Sequence, residues 1–283
     1  MSEESPWIER PIENGVGEIE FSSWHDLVTY LHRSMLSYDT YIWRGQRRQD
    51  WKLEPTFDRH LRNASIGNRY ASQHEHLERF QYAVRGRRGP NPQTMADEND
   101  WWALAQHHGM MTPLLDWSVS PFVAAFFAYI EEGGSDGTQF RTIYGLSKPS
   151  VEEKVSEILR EKEQEAKRNI GANSPLNKLA GLLASSPRPE VQFIKPLSEQ
   201  NQRLISQNGL FTRAPTGVPL EEWISKNFPG EGDYILMKLL APDSDREDCL
   251  RTLNRMNINY LTLFPDIDGA SKYCNLAALI ANY

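Results

Sequence analysis

Apolar residues along this chain switch between helical and strand spacing without regular alternation. Trp24, Leu27, Val28 and Leu31 recur three or four apart, which predicts a helix from Phe21 to Leu36 capped by Ser22 or Ser23. Tyr41-Ile42-Trp43 favours a strand and runs into Arg44-Gly45-Gln46. Trp51 to Phe57 reads as an extended segment interrupted by Pro55. Leu77, Phe80 and Val84 mark the inner face of a helix over 70–85, and the Gly, Pro and Asn content of 86–99 reads as a loop. Asp100 is placed to cap a helix over 101–108, which Gly109 stops. Ser120-Pro121 opens a further helix, and Phe122 to Tyr129 is apolar nearly all round, so that helix is expected to be buried.

The second half is more polar. A Gly-rich turn at 133–137 leads into a strand over 141–146. Val151 to Asn169 reads as a charged helix with a thin apolar stripe at Val155 and Leu159. With the Gly, Asn, Ser and Pro residues that follow, 150–190 reads as a helical insertion. Strands are expected near 191–196, 209–214 and 234–240, and helices over 243–256 and 270–281. Residues 1–17 read as a flexible N-terminal arm, leaving 18–283 as one domain. The irregular mixture favours the α+β class, a single mixed domain with helices flanking the sheet, over a doubly wound sheet.

Composition narrows the functions available. A net charge of −7 argues against a general nucleic-acid surface, although Arg44, Arg47, Arg48 and Lys52 could form a local basic groove. No apolar run approaches the roughly 20 residues that span a membrane, and the acidic N-terminus has no signal core, so a cytoplasmic protein is expected. Cys249 and Cys274 lack close metal-ligand spacing and read as structural thiols.

Four clusters could carry chemistry. Arg44-Gly45-Gln46 puts a permanent cation beside bare backbone, suited to a phosphate or carboxylate, or else is a surface arginine before a turn. His107, at a helix end, is a general base, a ligand contact, a metal ligand or a dipole-stabilised helix terminus. Asp116 lies among Pro113, Leu114, Leu115 and Trp117, so it is expected to be buried and must be paired, either structurally or for catalysis. The fourth cluster is Arg203 with Gln207-Asn208-Gly209. Ser118 and Ser120 suit turn and cap duty, as do Asp266 and Asp268.

Read together, these clusters resemble the FRG domain, a bacterial family named for a Phe-Arg-Gly triplet. Trp43-Arg44-Gly45 stands in the place of that triplet. The resemblance continues through Trp51 to Phe57, Leu104 to Gly109, Thr112 to Ser118, Ser120 to Ala128, Gln207 to Phe211 and Leu263 to Ala270. Trp43 replaces Phe, His108 stands where Tyr is usual and Met111 where Pro is usual. A weaker resemblance is to ADP-ribosyltransferases, which hold NAD phosphates with an arginine at the end of their first strand. Arg44 is similar to that arginine, and Trp117-Ser118 before Ala124-Ala125-Phe126-Phe127-Ala128 is similar to their second motif.

That second resemblance implies a split central sheet and NAD as substrate. It implies Arg44, His107, Asp116 and Gln207 as catalytic residues, and Trp43, Gly45, Gln46, Trp117, Ser118 and Arg203 as contacts to the nucleotide. It also implies a toxin or phage-defence effector. No glutamate falls at the third motif, where Gln207 and Asn208 stand. Two alternatives remain: a metal-dependent nuclease or hydrolase using His107, His108, Asp116, Asp266 and Asp268, and a non-catalytic nucleotide- or partner-binding module.

Overall fold

A computed structural model describes residues 6–34, 39–63, 69–92, 94–95, 97–133, 137–170, 190–195, 206–207 and 209–283. The strands are β1 (Trp7–Glu9), β2 (Val16–Phe21), β3 (Tyr41–Gln46), β4 (Leu115–Ser118), β5 (Phe140–Ser147), β6 (Gln192–Ile194), β7 (Gly209–Arg213) and β8 (Leu236–Pro242). They form one eight-stranded sheet in the order β1-β2-β8-β5-β3-β4-β7-β6. Only β2 with β8 runs parallel; every other neighbouring pair is antiparallel. The helices are α1 (Trp24–Ser34), α2 (Thr56–Asn63), α3 (Arg69–Ala83), α4 (Glu98–His107), α5 (Pro121–Tyr129), α6 (Lys148–Ile170), α7 (Leu220–Asn227), α8 (Arg246–Arg255), α9 (Tyr260–Leu263) and α10 (Ile267–Leu279).

Helices cover both faces of the sheet. On one face, Tyr41, Trp43, Ile143, Met237 and Leu239 pack against α1, α5, α8 and α10. On the other, Ile42, Leu115, Trp117, Tyr144, Leu146 and Leu236 pack against α6 and α7. Alternate residues of a strand point to opposite faces, so the run Tyr41-Ile42-Trp43 feeds both cores in turn. A third cluster, with Trp102, Leu114 and Phe211, joins α3 and α4 to the sheet.

Helix α5 forms as its sequence dictates. The Ser120 hydroxyl accepts from the Val123 amide, Pro121 opens the first turn, and Val123 to Phe126, Ala128 and Tyr129 are buried. It lies unusually close to β3. A Cβ on Gly45 would sit 1.9 Å from the Ala124 carbonyl oxygen and 2.6 Å from the Ala128 nitrogen. The glycine is therefore required by strand–helix contact.

Several expectations change. The stretch read as a flexible arm contains β1 and the start of β2, which are sheet strands; residues 1–5 lie outside the described residues. Short polar segments look like arms in sequence because pairing across the sheet is a long-range property. Residues 56–63 form α2 rather than continuing the extended segment, because Pro55 precedes the first turn. The cap of α4 is Asp97, which accepts from the Asn99 and Asp100 amides, so the helix begins earlier than Asp100. Of the segment read as an insertion, α6 is described and begins in the core with Val151 fully buried, while 171–189 lie outside the described residues. Asp266 caps α10 through the Gly269 amide at 2.8 Å, as its position suggested.

Candidate functional site

Strands β3 and β4 share a single register pair, Trp43 with Ser118. A cleft of about 410 Å³ lies where they meet, lined by Trp43 to Arg47 on one side and Leu114 to Ser118 on the other. Gln106 and His107 at the end of α4, Gln207, Phe127 and Phe264 also line it. Arg44, His107, Asp116 and Gln207, which are 163 positions apart at their extremes, thus border one space.

Arg44 is the centre of the polar network. Its Nη1 donates to the Asp116 carbonyl oxygen at 2.9 Å and lies 3.5 Å from the Asp116 carboxylate. Its Nε is enclosed and has no hydrogen-bond partner among the described residues. The side chain is 21% exposed and lines the cleft, whereas Asp116, expected to be buried, is 60% exposed. Burial pulls the Arg44 pKa below its ordinary value. The Asp116 charge and hydrogen bond oppose that fall without cancelling it, and nearby Arg59 deepens it. A cation held out of water with a mostly solvated partner is electrostatically under-compensated.

Asp116 is positioned in turn. The Gln106 amide donates to its carboxylate at 2.7 Å, and the Thr112 hydroxyl bonds the other end of that amide. Trp102, Ala103 and Ala105 of α4 are buried, which fixes the face on which Gln106 and His107 stand. His107 meets His108 edge-on at 4.9 Å. The Gln207 side-chain amide donates to the Leu263 carbonyl at 3.2 Å, and the Gln207 backbone carbonyl accepts from the Ser118 hydroxyl at 2.8 Å.

The remaining sequence candidates divide by what their side chains touch. Gln46 is 7% exposed; its amide nitrogen reaches the Lys52 carbonyl at 3.4 Å, and its oxygen is enclosed without a partner. Trp43 is 2% exposed and covers Gly145, where a Cβ would meet its ring at 2.7 Å. The Trp117 ring is in the core beside α7, with its N–H on the Thr212 hydroxyl at 2.8 Å. Ser118 is 4% exposed and joins Gln207 to the Ser120 amide. Gly45 faces α5. All five border the cleft, and their side chains are tied largely to the surrounding core. Arg203 and Asn208 lie outside the described residues.

Composition alone missed Gln106 and Trp51, which sit inside the quoted Leu104–Gly109 and Trp51–Phe57 runs, and Arg59 and Glu131, which sit in neither. No local signal distinguishes these from ordinary surface residues. Of the expected basic groove, Arg44 and Arg47 line the cleft, whereas Arg48 pairs with Asp50 at 2.8 Å and Lys52 with Glu222 at 2.6 Å. Among the described residues no three His, Cys, Asp or Glu side chains come together as a metal site. No helix among them is long and apolar enough to cross a membrane.

Fold and site define a mixed α/β protein, with one helix-flanked sheet and an arginine-floored cleft at a strand junction. Residues 39–136 match the FRG domain family, so the chain contains an FRG domain. That span holds β3, α2, α3, α4, β4 and α5, and with them Arg44, Gln106, His107 and Asp116. Comparison with curated proteins and with solved structures finds no match.

Proposed function

We propose that the cleft binds an anionic, nucleotide-like ligand with Arg44 as its principal anion contact. The observation that carries this reading is the under-compensated Arg44 guanidinium, enclosed on its Nε side and lining the cleft. An anion there supplies the charge-assisted hydrogen bonds that Asp116 supplies only in part. The cleft volume of about 410 Å³ is within the range of roughly 300–1,000 Å³ that small ligands occupy. Phe127, Phe211 and Phe264 provide apolar wall for a base or ring.

The resemblance of Arg44 and of the Trp117–Ala128 segment to ADP-ribosyltransferases makes NAD the candidate ligand. Transfer of its ADP-ribose would be the reaction, in a toxin or phage-defence setting. That chemistry needs a carboxylate to stabilise positive charge developing at C1 of the ribose. Asp116, on the cleft wall and bonded by Gln106, is the carboxylate this reading assigns to that role.

A second reading, binding without transfer, is favoured by one observation. Each carboxylate on the cleft wall is already paired: Asp116 with Arg44 and Gln106, Glu54 with Arg62 at 2.8 Å, and Glu131 with Arg47 at 3.6 Å.

Calorimetry with NAD and AMP, on wild type and Arg44→Ala, tests the binding reading. Loss of the charge-assisted contact is expected to weaken binding by about 1.5–3 kcal/mol, roughly 10- to 150-fold. Unchanged affinity in Arg44→Ala refutes it. Incubation with NAD carrying a tagged adenine separates the two readings: label on protein supports transfer, and binding without label or nicotinamide release supports the module.

A further inference from the structure

Arg44 is not the only arginine on the cleft wall. Arg47, at the end of β3, and Arg59, on α2, both line it, as does Trp51 between them in sequence. The two guanidinium carbons lie 5.3 Å and 5.9 Å from the centre of the Trp51 ring, so the indole serves as a platform for both. The environments of the two cations differ. Arg47 is 3.6 Å from the Glu131 carboxylate and donates to the Glu132 carbonyl at 3.3 Å. Arg59 is exposed and makes no ion pair among the described residues. Glu54, the other nearby acid on the wall, is held by Arg62.

Arg59 is also near enough to Arg44 to disfavour its charge. Two cations converging on one cleft, neither fully neutralised, repel each other when the cleft holds only water. An anion lying between them removes that repulsion. Arg44 is the enclosed one of the pair and Arg59 the solvent-facing one, so the two mark the inner and outer parts of a single site.

We propose that Arg59, steadied on Trp51, forms a second anion subsite in this cleft, and that the ligand is therefore a nucleotide carrying two phosphoryl groups rather than one. Arg44 holds the inner group and Arg59 the outer. The inference rests on the anion-binding reading of the same cleft and adds the ligand's charge pattern to it.

Calorimetric titration of the full chain with AMP and with ADP tests it. Wild type is expected to bind ADP more tightly than AMP. Arg59→Ala is expected to weaken ADP about tenfold while leaving AMP within about twofold, so the preference collapses. Arg59→Lys, which keeps the charge, is expected to retain most of the preference. Arg44→Ala is expected to weaken both nucleotides. An Arg59→Ala variant that keeps the wild-type ratio of ADP to AMP affinity, or loses both nucleotides equally, overturns the second subsite and leaves the Arg44 reading standing. Failure of wild type to bind either nucleotide overturns both. Arg59 is exposed and makes no ion pair among the described residues, so its removal is not expected to disturb folding, which circular dichroism of the variant checks.

Discussion

Replacing Gly45 with alanine tests what that glycine is for. The added Cβ would lie 1.9 Å from the Ala124 carbonyl oxygen and 2.6 Å from the Ala128 nitrogen, and ordinary contact starts near 3.4 Å. Both obstacles are backbone, so no side-chain rotation relieves the clash. Helix α5 would have to withdraw from β3 by about 1.5 Å. A radial gap of 0.5–1 Å already forfeits about a quarter to a half of each dispersion contact along an interface. That interface includes Ala124, Ala125, Phe126 and Ala128, each at most 1% exposed. Inserting a methyl into a packed core costs about 1–3 kcal/mol, and a rigid obstacle places this site at the upper end, near 3 kcal/mol. Against a typical domain stability of about 5–15 kcal/mol, that is a fifth or more. Urea unfolding followed by tryptophan fluorescence reads the cost as a lowered midpoint with unchanged slope. A loss below about 1 kcal/mol, accompanied by loss of nucleotide binding, would refute the packing account and make Gly45 a point of ligand approach instead.

Two further outcomes follow from the site and its surroundings. Asp116→Asn removes the carboxylate charge opposing a ligand at Arg44. Because Asp116 is 60% exposed, the gain in AMP affinity is expected to be only about two- to fivefold, read by calorimetry, and weaker binding would mean that Asp116 contacts the ligand directly. His76 is partly buried against Phe57 and bonds the Met111 carbonyl at 3.2 Å, and burial lowers its pKa below the ordinary value of 6.5. The unfolded chain therefore takes up the proton first, so this group's contribution to stability is intact above about pH 6.5 and declines as the pH falls below it. A His76→Gln variant is expected to show a shallower decline in unfolding midpoint between neutral pH and pH 5, and an identical decline would exclude His76 as a cause.

The order of most elements was legible in the sequence because it depends on local periodicity and caps. Ser120-Pro121 followed by an unbroken apolar run specifies α5, and β3, β5 and β8 declare themselves by strand-favouring residues. The candidate residues of the cleft were likewise legible one by one, since polar groups at the ends of apolar elements are conspicuous. Their surroundings were not. Trp117 and Asp116 are adjacent in sequence, yet one faces the α7 core and the other the cleft, a division set by strand alternation once β4 is paired. Gln106 gained its meaning only when α4 brought it within 2.7 Å of Asp116.

Which side chains are available follows from the order of residues alone: a permanent cation at Arg44, an acid at Asp116, and amides at Gln46, Gln106 and Gln207. Tertiary structure decided how they are used. It buried the cation more deeply than its partner and packed Gly45 against a helix. It also aimed Arg59, from a separate helix, at the same space. Charge and hydrogen-bonding capacity are properties of a residue, but desolvation and compensation depend on what the folded chain places around it.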